Sequence, residues 1–195
     1  MTIKTNRALT LTELIAGTII FGIVIVGVTA VDFAMRRSHQ STSQNSVLAM
    51  QTSAIMLHIT KNIGVATGDR GTSGIVVNPT NIWIRMEDPN PLPPDPDPST
   101  YADDIWVSYT FIPANFTLYF CTVPDSTTPC TNIDENLGRL AAFTANLAVN
   151  DSAGTQNLYV EIILVNRPNP ADFAKPLENP EYTLTSRTQP ASSSF

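Results

Sequence analysis

Between Leu14 and Val31 the chain carries no charged residue, and the longer run Leu9 to Val31, LTLTELIAGTIIFGIVIVGVTAV, contains one, Glu13. Wound as a helix at 1.5 Å per residue, this run measures about 35 Å, enough to cross a hydrocarbon layer of about 30 Å. A helix of a soluble core is polar on its outer face. This one is apolar all round, which points to a membrane-spanning segment.

Ahead of it lies Met1 to Ala8, MTIKTNRA, where Lys4, Arg7 and the amino terminus favour retention on the cytoplasmic side. Arg36 and Arg37 follow the span and balance that count, so charge alone leaves orientation open. Glu13 is the costly residue, because a carboxylate entering a membrane must be paired, neutralised or held at the interface. Two readings follow: a side chain that snorkels to the interface, or one that meets a cationic partner.

The run Ala8-Leu9-Thr10-Leu11-Thr12-Glu13 resembles the type IV prepilin processing site: a small residue, a cut, an apolar residue, Thr-Leu, a variable position and Glu. Ala8 stands where Gly is usual, and Leu9 where Phe is common. The resemblance implies that a prepilin peptidase cuts between Ala8 and Leu9 and N-methylates Leu9. It also implies that Glu13 serves assembly by matching the amine of another subunit's Leu9, and that the chain joins other pilin or pseudopilin subunits in a filament rising from the inner membrane. A rival reading exists in Val28-Thr29-Ala30, a small-residue signal-peptidase pattern that would release a soluble domain at Val31.

Beyond Asp32 the chain is free of proline until Pro79, and Val47, Leu48, Ile55, Ile59 and Ile63 recur along one helical side. The helix is therefore expected to run from about Leu9 to about Ile63, with Gly64 and Gly68 as stops. Strands are expected at Ile75 to Val77, Ile82 to Met86, Ile105 to Phe111, Phe116 to Cys121, Leu158 to Val165 and Tyr182 to Ser186, with Ile112 to Asn115 closing a hairpin. In the third strand Ile105, Val107, Tyr109 and Phe111 alternate with Trp106, Ser108 and Thr110, the pattern of core packing rather than of a ligand groove. The expected fold class is α+β: a long N-terminal helix, membrane-spanning in its first half and amphipathic in its second, packed on an antiparallel sheet in pilin-like fashion. The domain plan is 1–8 leader, 9–31 spanning helix, 32–64 amphipathic continuation and 65–195 β-rich head.

Asp104 to Cys121, Gly138-Arg139 leading into Leu140 to Asp151, and Leu158 to Arg167 resemble the PilW-like minor pilins and J-type pseudopilins, as does the closing run Asn179 to Arg187. That resemblance implies a minor subunit.

The two cysteines, Cys121 and Cys130, flank the turn-forming stretch Val123 to Pro129 and are read as a disulfide; reduced thiols and two-ligand metal binding are the alternatives. A disulfide implies an oxidising compartment, so the head belongs in the periplasm or outside. Past Val31 there are sixteen Asp or Glu against nine Lys or Arg, which disfavours nucleic-acid binding by a broad basic face. The segment Glu87 to Asp104, EDPNPLPPDPDPSTYADD, is proline-broken and acidic. It reads as a solvated loop, with Asp95, Asp97, Asp103 and Asp104 as calcium ligands if it folds back.

No phosphate loop, nucleophile elbow or His-Glu-x-x-His is present, so no enzyme, no cofactor and no resident metal is expected. Two function classes stand: a filament subunit, and a membrane-anchored or secreted ligand-binding module using the sheet or the Pro/Asp segment.

Overall fold

The structure, a computed structural model, describes residues 10–68, 73–88, 101, 104–152, 155–173 and 179–190. Among the described residues it is α+β: one helix, α1 (Leu11–Gly64), followed by eight strands in two antiparallel sheets. The chain divides after Ser43 into two compact units. The second comprises the remainder of α1 and all the strands.

Helix formation through Gly64 is favoured by the absence of proline, by Glu13 in the first turn and by Lys61 in the last, each matching the macrodipole. At its end the amides of Val65 and Ala66 donate to Asn62 O and Ile63 O, both at 3.3 Å, tightening the last turn. Within the head, α1 buries Leu48, Thr52, Ile55, Met56, Ile59 and Ile63. Val47 is not among them: it lies about 100° around the helix from Leu48 and is exposed, whereas Thr52 and Met56 complete the stripe.

The first sheet is a meander of β1 (Ile75–Asn78), β2 (Asn81–Met86), β3 (Ile105–Ile112), β4 (Thr117–Val123) and β5 (Glu135–Arg139). Register places Val77, Ile82, Tyr109, Phe120 and Glu135 in one row across it. Because opposite residues share a face, Val77, Ile82, Tyr109 and Phe120 of this row and their neighbours Ile84, Val107, Phe111 and Leu118 turn toward Ile55, Ile59 and Ile63, whereas Glu135 at the edge is exposed. The second sheet orders β6 (Ala142–Ser152), β7 (Thr155–Asn166) and β8 (Tyr182–Thr188), and Phe143, Ala145, Val160, Ile162 and Leu164 join the same core. The single sheet expected from the sequence is thus two, and strands β5 and β6 were not expected.

Leu140 and Ala141 join the two sheets. Leu140 N donates to Phe116 O at 2.8 Å and Ala141 N to Val165 O at 2.7 Å, so one amide bonds to the turn between β3 and β4 and the next to β7 of the second sheet. The hairpin between β3 and β4 turns through Pro113 to Phe116, with Phe116 at φ 57°, so Phe116 closes the turn rather than opening the strand. Gly138 lies at φ 133°, a conformation that L side chains rarely adopt, beside the register shift between Leu118 and Tyr119.

Candidate anchoring and assembly site

Glu13 is the residue on which the assembly reading turns, and its own helix accounts for its geometry. Thr10 N donates to Glu13 Oε2 at 2.9 Å, Thr10 Oγ1 donates to the same oxygen at 3.0 Å, and Glu13 N donates to Thr10 Oγ1 at 3.4 Å. This is a reciprocal capping box, in which two orphan amides of the helix start are satisfied by side chains. Its sequence signature, Thr-x-x-Glu before an apolar run, is present at Thr10 to Glu13, beside the charge and the prepilin-like motif from which Glu13 is read. Ala8 and Leu9 lie outside the described residues.

After the cap, the segment from Leu14 onward presents its apolar side chains to the surroundings; Ile15, Phe21, Val26 and Phe33 are all half to two-thirds exposed. No residue of its most apolar window is buried, and by length and composition it is able to cross a membrane. Its hydroxyls are satisfied internally: Thr18 Oγ1 donates to Ile15 O at 2.8 Å and Thr29 Oγ1 to Ile25 O at 3.0 Å. That masking removes the main cost of placing threonine in hydrocarbon. Charge resumes with the exposed pair Asp32 and Arg36, 2.9 Å apart and one turn from each other.

In the head, Cys121 and Cys130 form a disulfide with Cα atoms 5.7 Å apart. Cys121 lies on the face of the first sheet opposite α1, in a row with Val76, Trp83 and Ser108. The bridged loop covers that face, and Trp83 Nε1 donates to Thr128 O at 3.3 Å. Comparison with family models, with curated proteins and with solved structures returns no match.

Two polar clusters lie in the head, one where the alternation of β3 suggested only packing and one that includes Asp104, a candidate calcium ligand. Tyr109, fully buried, accepts from Asn62 Nδ2 at 2.6 Å and lies 2.8 Å from His58 Nδ1. Burial pushes the phenol well above its ordinary range, with the Glu135 charge adding to this against the Asn62 hydrogen bond, so Tyr109 stays protonated and ties β3 to α1. On the outer face, Arg85 sits 3.4 Å from Asp104 and donates to Thr67 O at 3.3 Å, while its guanidinium stacks 3.9 Å above the Tyr101 ring. Thr67 Oγ1 donates to Asp104 Oδ2 at 2.6 Å. The helix exit and the two ends of the proline-rich segment are thus gathered at one point.

This arrangement also bears on the calcium reading. Asp104 is committed to Arg85 and Thr67, whereas Asp95, Asp97 and Asp103 lie outside the described residues. Among the described residues, no three His, Cys, Asp or Glu side chains converge on one point.

Proposed function

We propose that the chain is a structural subunit of a type IV pilin-like or type II secretion filament, a minor pilin or pseudopilin anchored in the inner membrane by its N-terminal helix. The supporting observation is the change of character along one helix. Leu14 to Phe33 leave their apolar side chains uncovered, whereas Leu48, Ile55, Ile59 and Ile63 are buried in the head. Uncovered apolar surface of that extent calls for lipid or for other apolar helices.

In this reading a prepilin peptidase removes Met1 to Ala8 and N-methylates Leu9. Glu13 then meets the amine of a neighbouring subunit, and the head stands in the periplasm or outside. The capping box adds a detail: Thr10 engages Oε2, and the other carboxylate oxygen makes no hydrogen bond within the described residues.

Mass spectrometry of the mature chain tests the proposal. An N-methylated Leu9 is the expected terminus, and a chain beginning at Val31 would overturn it in favour of a released domain. Deleting Pro89 to Pro98 separates the assembly role from that of a ligand-binding module. Filaments unchanged with loss of a captured ligand would favour the module, and loss of filaments would favour assembly.

A further inference from the structure

We propose that Asp125 is a positioning residue for formation of the Cys121–Cys130 disulfide, folding the intervening loop so that Cys130 returns to a Cys121 already fixed in β4. Cys121 is fully buried and its position is set by the ladder to Ser108. Cys130 has no such ladder and depends on the loop to bring it back.

The loop turns about one carboxylate. Asp125 Oδ1 accepts from Thr127 N at 2.8 Å, Thr127 Oγ1 at 2.7 Å and Thr128 N at 2.8 Å, and Oδ2 accepts from Thr128 Oγ1 at 3.0 Å. Four donors on one side chain fix the direction of the chain from Asp125 through Thr128. Trp83 holds the top of the loop through Thr128 O. At the neck, Asp134, the other carboxylate engaged with this segment, accepts from Thr122 N, and its own amide donates to Phe120 O at 3.1 Å. None of these contacts passes through sulfur, so all of them are able to form before the thiols join.

Oxidation by a low-molecular-weight disulfide takes two exchanges. One cysteine thiolate attacks the external disulfide, forming a mixed disulfide and releasing one external thiol. The second cysteine, deprotonated, attacks the protein sulfur of the mixed disulfide, forming the Cys121–Cys130 bond and expelling the second external thiol. The protein loses two electrons and its two thiol protons, and the external disulfide is reduced to two thiols. Only the second exchange depends on the distance between the cysteines, and there a preformed turn replaces the entropy cost of closing a flexible loop.

Full-length protein in detergent, equilibrated in glutathione redox buffers and quenched with acid, yields the effective concentration of the two thiols. Asp125→Ala is expected to lower it tenfold or more, and Asp125→Asn, which keeps the Oδ1 acceptor, by less. A second measurement needs no variant. If the cap favours the disulfide, the disulfide favours the charged cap by the same factor, so the Asp125 carboxyl should titrate at lower pH in oxidised than in reduced protein, as followed by NMR. An unchanged effective concentration in Asp125→Ala, or one titration midpoint for both redox states, would overturn the assignment. Should the alanine variant unfold, the titration of the unmodified chain decides alone.

Discussion

Arg85 and Asp104 face each other at 3.4 Å with side chains only 4% and 6% exposed, an ion pair enclosed within the head. Arg85 is on β2 and Asp104 immediately precedes β3, so the pair closes the base of the intervening segment, while Thr67 brings in the helix exit. Gly74 belongs to the same knot: a Cβ there would lie 1.7 Å from Thr67 O, a space only glycine leaves open.

Removing Arg85 takes from the enclosed Asp104 carboxylate its counter-charge at 3.4 Å. Arg85→Ala is therefore expected to destabilise the head by about 3 to 5 kcal/mol in urea denaturation. Replacing both, as Arg85→Met with Asp104→Leu, should recover most of that loss. A single variant as stable as the unmodified chain would show that the pair contributes little.

Thr52 and Asn166 join α1 to the second sheet: Asn166 Nδ2 donates to Thr52 Oγ1 at 3.2 Å, and both residues are buried. Thr52→Val preserves shape but leaves the Asn166 amide without that acceptor, at an expected cost of about 1 to 3 kcal/mol. Thermal unfolding of the single variant and of the double variant with Asn166→Leu measures the coupling. Additive losses would place the hydrogen bond outside the helix-to-sheet attachment.

Glu13 has two separable properties, an acceptor for the Thr10 amide and a negative charge. Glu13→Gln keeps an acceptor and removes the charge, whereas Glu13→Ala removes both. If pairing with a neighbouring amine drives assembly, the two variants should insert in the membrane normally and lose filaments to the same extent, as counted by electron microscopy. Normal filaments from Glu13→Gln would reduce the role of Glu13 to capping.

Acid should loosen the head in a defined window. Asp125 is held at about 2, against an ordinary 3.8, chiefly by the Thr127 hydroxyl and amide; Glu181 is lowered from 4.5 chiefly by its hydrogen bond from Arg167. Groups whose folded pKa is depressed contribute stability that is present above their unfolded values and lost as pH falls through the folded ones. The urea midpoint should therefore hold from pH 7 to about 5 and fall between about pH 4 and 2. Asp125→Asn should flatten the lower part of that fall.

The sequence conveyed most about the elements with strong periodicity. The uncharged run after Glu13 and the proline-free stretch to Pro79 define α1, and the alternation around Tyr109 fixes which face of β3 is buried. Strand β5 escaped because Glu135-Asn136-Leu137-Gly138-Arg139 has no alternating apolar face and a glycine near its end, whereas β6 was legible, since Phe143, Ala145, Leu147 and Val149 alternate with Thr144, Asn146 and Ala148. What makes β5 a strand is pairing with β4. The Arg85–Asp104 pair was equally hidden, since only folding brings together residues separated by a proline-rich segment. The capping box at Thr10 was legible from spacing alone, but the cost of the charge and the prepilin-like motif around it directed attention to partners outside the chain.

The link at Leu140 and Ala141 leaves the head no slack at its waist. With one amide already bonded to the β3–β4 turn and its neighbour to β7, one inserted residue would displace either the Phe116 bond or the Val165 bond and shift every side chain beyond it. Growth in length is better accommodated at the turns, whereas this join tolerates exchange of side chains but no change of spacing.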